Sequence, residues 1–171
     1  MKQYRVVALV VCLVVSTIMQ TAALGQQEQE HHFTTRNLRM VLESRRDTSL
    51  MAQAFVSTNA GEVLDAYNNY TLFIPTNSVF KALPERMQDA IMNDQRVFLE
   101  VIASVYVDDV LTSRELKNRG SVTTKNGQVL NLSGSQGSLV VNGSNTEAVD
   151  VYGNGFIVHV TRGINLPPIQ L

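Results

Sequence analysis

Apolar side chains recur every third or fourth residue at Leu38, Val41 and Leu42, and again at Leu50, Met51, Ala54 and Phe55. That period predicts two helices, with Asp47 to Ser49 breaking and recapping the chain between them. Val63, Leu64 and Tyr67 continue the apolar pattern after Gly61. The stretch Thr71–Pro75 (TLFIP) is apolar on both faces, which predicts a short strand buried in the middle of a sheet. Thr76 and Asn77 then offer side-chain oxygens to the first amides of a helix carrying Val79, Phe80 and Leu83. Pro84 opens the next helix, where its missing N–H costs little, and Met87, Ala90 and Ile91 line its inner face. Asn93-Asp94 interrupts, and Val97, Phe98, Val101, Ile102 and Val105 form a further helical stripe.

Beyond Arg119-Gly120 the pattern changes to short strands. Asn126-Gly127 separates SVTTK from QVLNL, a strong hairpin signal. Asn142-Gly143 and Asn154-Gly155 punctuate the apolar runs LVV, AVDVY and FIVHV. In FIVHV, Phe156, Val158 and Val160 share one face, and Ile157 and His159 the other. Helices first and strands afterwards predict an α+β domain with antiparallel pairing and no βαβ repeat.

The first 25 residues read as an address. Lys2 and Arg5 precede an unbroken apolar run, Val6–Val15, and small residues follow at Thr21–Gly25. This is the order of a secretory signal peptide, and the run is shorter than the ~20 residues of a membrane span. Cleavage is expected after Gly25, with Ala23 as the alternative. The only cysteine, Cys12, would leave with the signal, so neither disulfide nor thiol chemistry is expected in the mature chain. Residues 26–35 (QQEQEHHFTT) read as a flexible polar arm. The C-terminal LPPIQL lacks the apolar tail of a lipid-anchor signal, so the expected product is soluble, secreted and without a membrane anchor.

The chain has 171 residues, 44% hydrophobic and 17% charged, enough for one globular domain. A net charge of −1 excludes the basic surface that non-specific nucleic-acid binding needs.

Two segments carry a family resemblance. TLFIPTNSVFKALP at 71–84 is the first, and LVVNG at 139–143 with NGFIVHVTRGINLPP at 154–168 is the second; LTSREL at 111–116 fits between them. Together they resemble the fasciclin domain family over residues 36–169. The matching positions are Thr71, Phe73, Pro75, Thr76, Asn142, Gly143, Asn154, Gly155, His159 and Pro167. The resemblance implies N-terminal helices packed on a mostly antiparallel β-sandwich or wedge. It also implies extracellular recognition: cell adhesion or matrix binding through surface contacts, without catalysis or cofactor. The chain departs from the family where Tyr-His is replaced by Ser104-Val105, Pro-Gly by Asp108-Asp109 and Ile-Asp by Thr161-Arg162. In periostin-like members the Tyr-His region and an Asp-Ile motif are associated with integrin binding. Asp150-Val151 is similar to the latter, which makes these two residues weak interaction candidates and an integrin-like receptor a weakly supported partner.

Other chemistry is sparse. His159 is the only histidine within the predicted domain, and no Gly-x-Ser-x-Gly elbow accompanies it; a buried structural role is expected. His31-His32 makes a poor metal site without further ligands. Three N-glycosylation sequons occur, at Asn69, Asn131 and Asn142, with modification expected at Asn69 or Asn142. Arg36, Arg39, Arg45 and Arg46 form a basic cluster on the first helix, offering a docking patch, although Glu43 and Asp47 interleave it and favour a solvated face. Met40 and Met51 are expected in the core. The expected partner is an extracellular protein or matrix component. One domain bridges two surfaces only through two binding faces or as a homodimer, and both routes stay open. The competing reading is a carrier of small apolar ligands, using a pocket between helices and sheet.

Overall fold

The computed structural model describes residues 35–64, 67–135 and 137–163. Residues 1–34, with Cys12, His31 and His32, and also Pro167, lie outside the described residues.

The first half is helical. Asn37 caps α1 (Leu38–Glu43), its side chain accepting the Met40 amide at 2.9 Å. Leu38, Val41 and Leu42 form the buried face of this short helix. Met40 falls on the opposite side and is 55% exposed, so only Met51 of the two methionines joins the core. A 3-10 turn at Arg46–Thr48 leads into α2 (Ser49–Ser57), and α3 (Gly61–Leu64) follows.

β1 (Tyr70–Pro75) is buried at every residue, as its two apolar faces require. After it come α4 (Asn77–Lys81), α5 (Glu85–Asn93) and α6 (Gln95–Val105). Pro84 sits at the N-cap of α5 rather than inside it. Asp94 caps α6 by accepting the Arg96 and Val97 amides. The amphipathic stripe of α6 buries Val97, Phe98, Val101 and Ile102. β2 (Tyr106–Val107) is a two-residue strand, and α7 (Ser113–Arg119) opens with a Thr112–Glu115 capping box. Gly120 ends α7 at φ +72°, a backbone region open to glycine at little cost.

The remaining strands are β3 (Ser121–Thr123), β4 (Val129–Ser133), β5 (Val140–Val141), β6 (Ser144–Gly153) and β7 (Phe156–Thr161). All seven form one sheet in the order β2-β1-β7-β6-β5-β4-β3. The hairpins at Asn126-Gly127 and Asn154-Gly155 join β3 to β4 and β6 to β7, with Gly127 and Gly155 in positive-φ conformations. Among the described residues every pairing is antiparallel except one: β1 runs parallel to β7 over Tyr70–Pro75 and Phe156–Thr161. The mostly antiparallel sheet is as expected; which pair is parallel is not legible in the sequence, because hairpin signals report only neighbours in the chain. β1 and β7 are the first and last of the described strands, and they pair although they are distant in sequence. The turn that follows β3 reaches the opposite edge of the sheet, where the Lys125 amide donates to the Tyr106 carbonyl at 2.8 Å.

Candidate functional site

Polar chemistry in the core converges on His159. The side chain is fully buried on β7, and its ring stacks on Phe73 of β1 with centroids 5.5 Å apart. Nε2 lies 3.0 Å from the Leu111 carbonyl, and Nδ1 accepts the Asp150 amide at 3.3 Å. An accepting Nδ1 places the proton on Nε2, which then donates to Leu111. Burial holds the ring's pKa below its ordinary 6.5, against the opposing influence of the Leu111 carbonyl and the Asp150 charge.

Asp150 extends the network. It sits on β6 at φ +54°, and its carboxylate accepts both the Ser113 amide (2.7 Å) and the Ser113 hydroxyl (2.6 Å). An acid of the sheet thus binds the first turn of α7, where a negative charge is favoured. Thr71 performs a parallel task from β1. Its hydroxyl donates to the Asp109 carbonyl at 2.7 Å and accepts the Leu111 amide at 2.8 Å. The segment 109–113 is therefore bonded to three strands through Thr71, His159 and Asp150. A general base must reach the proton it abstracts. Both nitrogens of His159 are instead committed to backbone groups, and this geometry fastens a crossover.

Other sequence candidates are spread over the surface. Asn69 and Asn131 are exposed, whereas Asn142 is half-buried in its turn and its Oδ1 accepts the Asn131 amide at 2.9 Å. Ser104 and Val105 are both fully buried. Val151 packs partly buried against the core. Of the four basic residues only Arg39 lies on α1, which ends at Glu43. Arg39 pairs with Glu43 (2.8 Å), Arg45 with Asp47 (2.6 Å), and Arg36 donates to the Tyr152 carbonyl (3.2 Å).

Sequence reasoning also places Thr76 or Asn77 as a cap on α4. Neither side chain bonds the α4 amides. Thr76 bonds the Ser78 hydroxyl instead, and Asn77 reaches across to α2. There its Oδ1 accepts the Leu50 amide (3.0 Å), while Nδ2 donates to the Arg46 carbonyl (2.8 Å) and the Ser49 hydroxyl (2.9 Å). The roles of Asp150, Ser113 and Asn77 depend on partners 27 to 37 residues away, which no local motif reports.

Two depressions adjoin at Lys125. One, of about 220 Å³, is apolar and lined by Val63, Tyr67, Leu99, Ile102 and Tyr106. Tyr106 stacks on Tyr70, which stacks on Phe156, so an aromatic column runs from this surface into the core. Burial first, then the neighbouring Asp108 carboxylate, pushes the Tyr106 hydroxyl up to about 12, so it stays protonated. The second, of about 520 Å³, is polar and lies between Val107–Asp109 and Ser121–Lys125.

Comparison with known proteins places this architecture. The family described as Fasciclin domain matches residues 46–164. Transforming growth factor-beta-induced protein ig-h3 of Sus scrofa is 23% identical over 128 residues, covering 75% of this chain but 19% of that protein. Protein sll1483 of Synechocystis is 24% identical over 123 residues, covering 71% of this chain and 68% of its own length. Among solved structures, the FAS1 domain pair of the insect cell adhesion molecule fasciclin I superposes with a TM-score of 0.62 at 14% identity. That match covers 79% of this chain and 51% of the other, so this chain spans about half of the pair. With the family match running through α2 to β7 and the same fold in a solved FAS1 pair, this chain belongs to the fasciclin domain family.

Proposed function

We propose that this chain is a secreted, non-catalytic recognition module that binds an extracellular protein or matrix component through surface contacts, in cell adhesion or matrix assembly. Family membership carries the reading. The pig relative and the insect adhesion molecule are multidomain-scale proteins of which this chain matches a part, so adhesion is argued for this chain and not transferred with their names. The inward use of His159, Asp150 and Thr71 supports it, because these polar groups serve the fold. The order of charged, apolar and small residues over 1–25 supports secretion. Exposed Asn69 and Asn131 suit glycan attachment along that route. The apolar depression of about 220 Å³ is smaller than the ~300–1,000 Å³ of ordinary small-molecule sites, which argues against a ligand carrier.

Expression of the full chain in cultured animal cells tests the proposal. Secreted protein should begin at Gln26, or at Leu24 with the alternative cleavage, and should bind matrix-coated surfaces or cells saturably. Retention inside the cell with Met1 intact, or turnover in a panel of ester, glycoside and peptide substrates, would overturn it.

A further inference from the structure

Just past β3 the chain meets the β2 side through the Lys125–Tyr106 and Asn126–Ala103 backbone bonds, and β2 and β3 themselves lie apart. Backbone alternation shows which groups face the gap. The Gly120 carbonyl accepts the Leu132 amide, and the Thr124 amide donates to Gln128, both at 2.8 Å. Gly120, Val122 and Thr124 therefore turn their backbone toward β4, and Ser121, Thr123 and Lys125 turn theirs away. Lys125 uses that outward amide to bond the Tyr106 carbonyl. Antiparallel continuation from this rung would set Asp108 opposite Thr123, yet among the described residues no backbone bond joins them. The strands diverge instead around the polar cleft of about 520 Å³.

Two ion pairs span the opening. Lys125 meets Asp108 at 2.6 Å and Arg119 meets Asp109 at 2.7 Å, and all four side chains are about half exposed. Pairs so exposed contribute little and open readily. The cleft thus offers outward backbone groups of β3, an acidic lip at Asp108 and Asp109, and a basic lip at Arg119 and Lys125. Open strand edges are templates for another strand.

We propose that this gap is a docking site for an extended polypeptide segment of mixed charge, added as a strand along Ser121–Thr123. The segment's backbone meets the outward groups of β3, and its acidic and basic side chains replace the partners of Arg119 and Asp109. The inference rests on the reading that this chain acts by surface recognition, and names the class of partner.

Random 12-residue peptides displayed on phage and panned against the full chain supply the probe. The synthetic form of the most enriched peptide should slow amide exchange at Ser121 and Thr123 in the wild type. Thr123→Pro removes an amide that β4 does not use, a substitution an edge strand tolerates. It should weaken peptide binding at least tenfold, while Thr123→Ala, which keeps the N–H, binds as the wild type does. If Thr123→Pro melts early, Ser121→Pro is the second edge block, and exchange on the wild type decides without any variant. Equal binding by a folded proline variant, protection of another surface, or no enriched peptide would overturn the site. A wild-type dimer dissolved by Thr123→Pro would also overturn it, by placing a second copy in the gap. Matrix binding that persists in Thr123→Pro leaves the recognition reading standing while removing this one.

Discussion

Single residues in this fold carry tasks that their chemistry suits and their neighbours specify. Phe73 is fully buried on β1 and stacks on His159. Its replacement by Ala should cost about 3–5 kcal/mol, through lost burial and the cavity left behind. Denaturant unfolding should show this as a lower midpoint. His159→Gln disturbs two buried contacts and should cost about 1–3 kcal/mol. The histidine also has a pH signature. Its folded pKa is held below the unfolded value of 6.5, so below that pH the unfolded chain binds a proton that the native state refuses. The contribution of neutral His159 is complete above pH 6.5 and is lost as pH falls from there toward the lowered folded pKa. Unfolding midpoints of wild type and His159→Gln, measured from pH 8 to pH 5, should therefore converge on the acid side. A gap that widens on acidification would contradict the assignment of a neutral ring.

At the scale of elements, local capping starts three helices, and a distant part of the chain serves α2. α1, α6 and α7 follow the local rule, with caps at Asn37, Asp94 and Thr112. α2 does not, because its own N-cap, Thr48, makes no side-chain cap bond. Asn77, at the start of α4, supplies the missing acceptor to Leu50 and ties Arg46 and Ser49 with its amide group. Asn77→Ala should cost about 0.5–2 kcal/mol, the range of a lost cap, and should speed amide exchange at Leu50 while leaving the first amides of α4 unchanged. Faster exchange in α4 alone would restore the local capping assignment. Helical periodicity located these helices, and the apolar stripes predicted their buried faces. Met40 was misplaced because a six-residue helix has room for one narrow apolar face, already filled by Leu38, Val41 and Leu42.

Over the whole molecule, β7 is the piece that closes the structure. It pairs with β6 on one side and with β1 on the other, and it carries His159. A chain ending at Asn154 should therefore remain unfolded, lacking near-ultraviolet circular dichroism and a cooperative transition; a cooperative transition in that fragment would show that β1 and β6 suffice without their shared neighbour. Which segments become helix or strand was legible in the sequence, since periods of 3.6 and 2, turn glycines and capping residues act over a few positions. The family motifs likewise marked Thr71, Phe73 and His159 as positions of consequence. The parallel β1–β7 pair, the capping of α2 by Asn77 and of α7 by Asp150, and the gap between β2 and β3 were decided only by tertiary structure. Each joins groups far apart along the chain, and the side chains involved could bond equally well to other partners until packing brings one pair together.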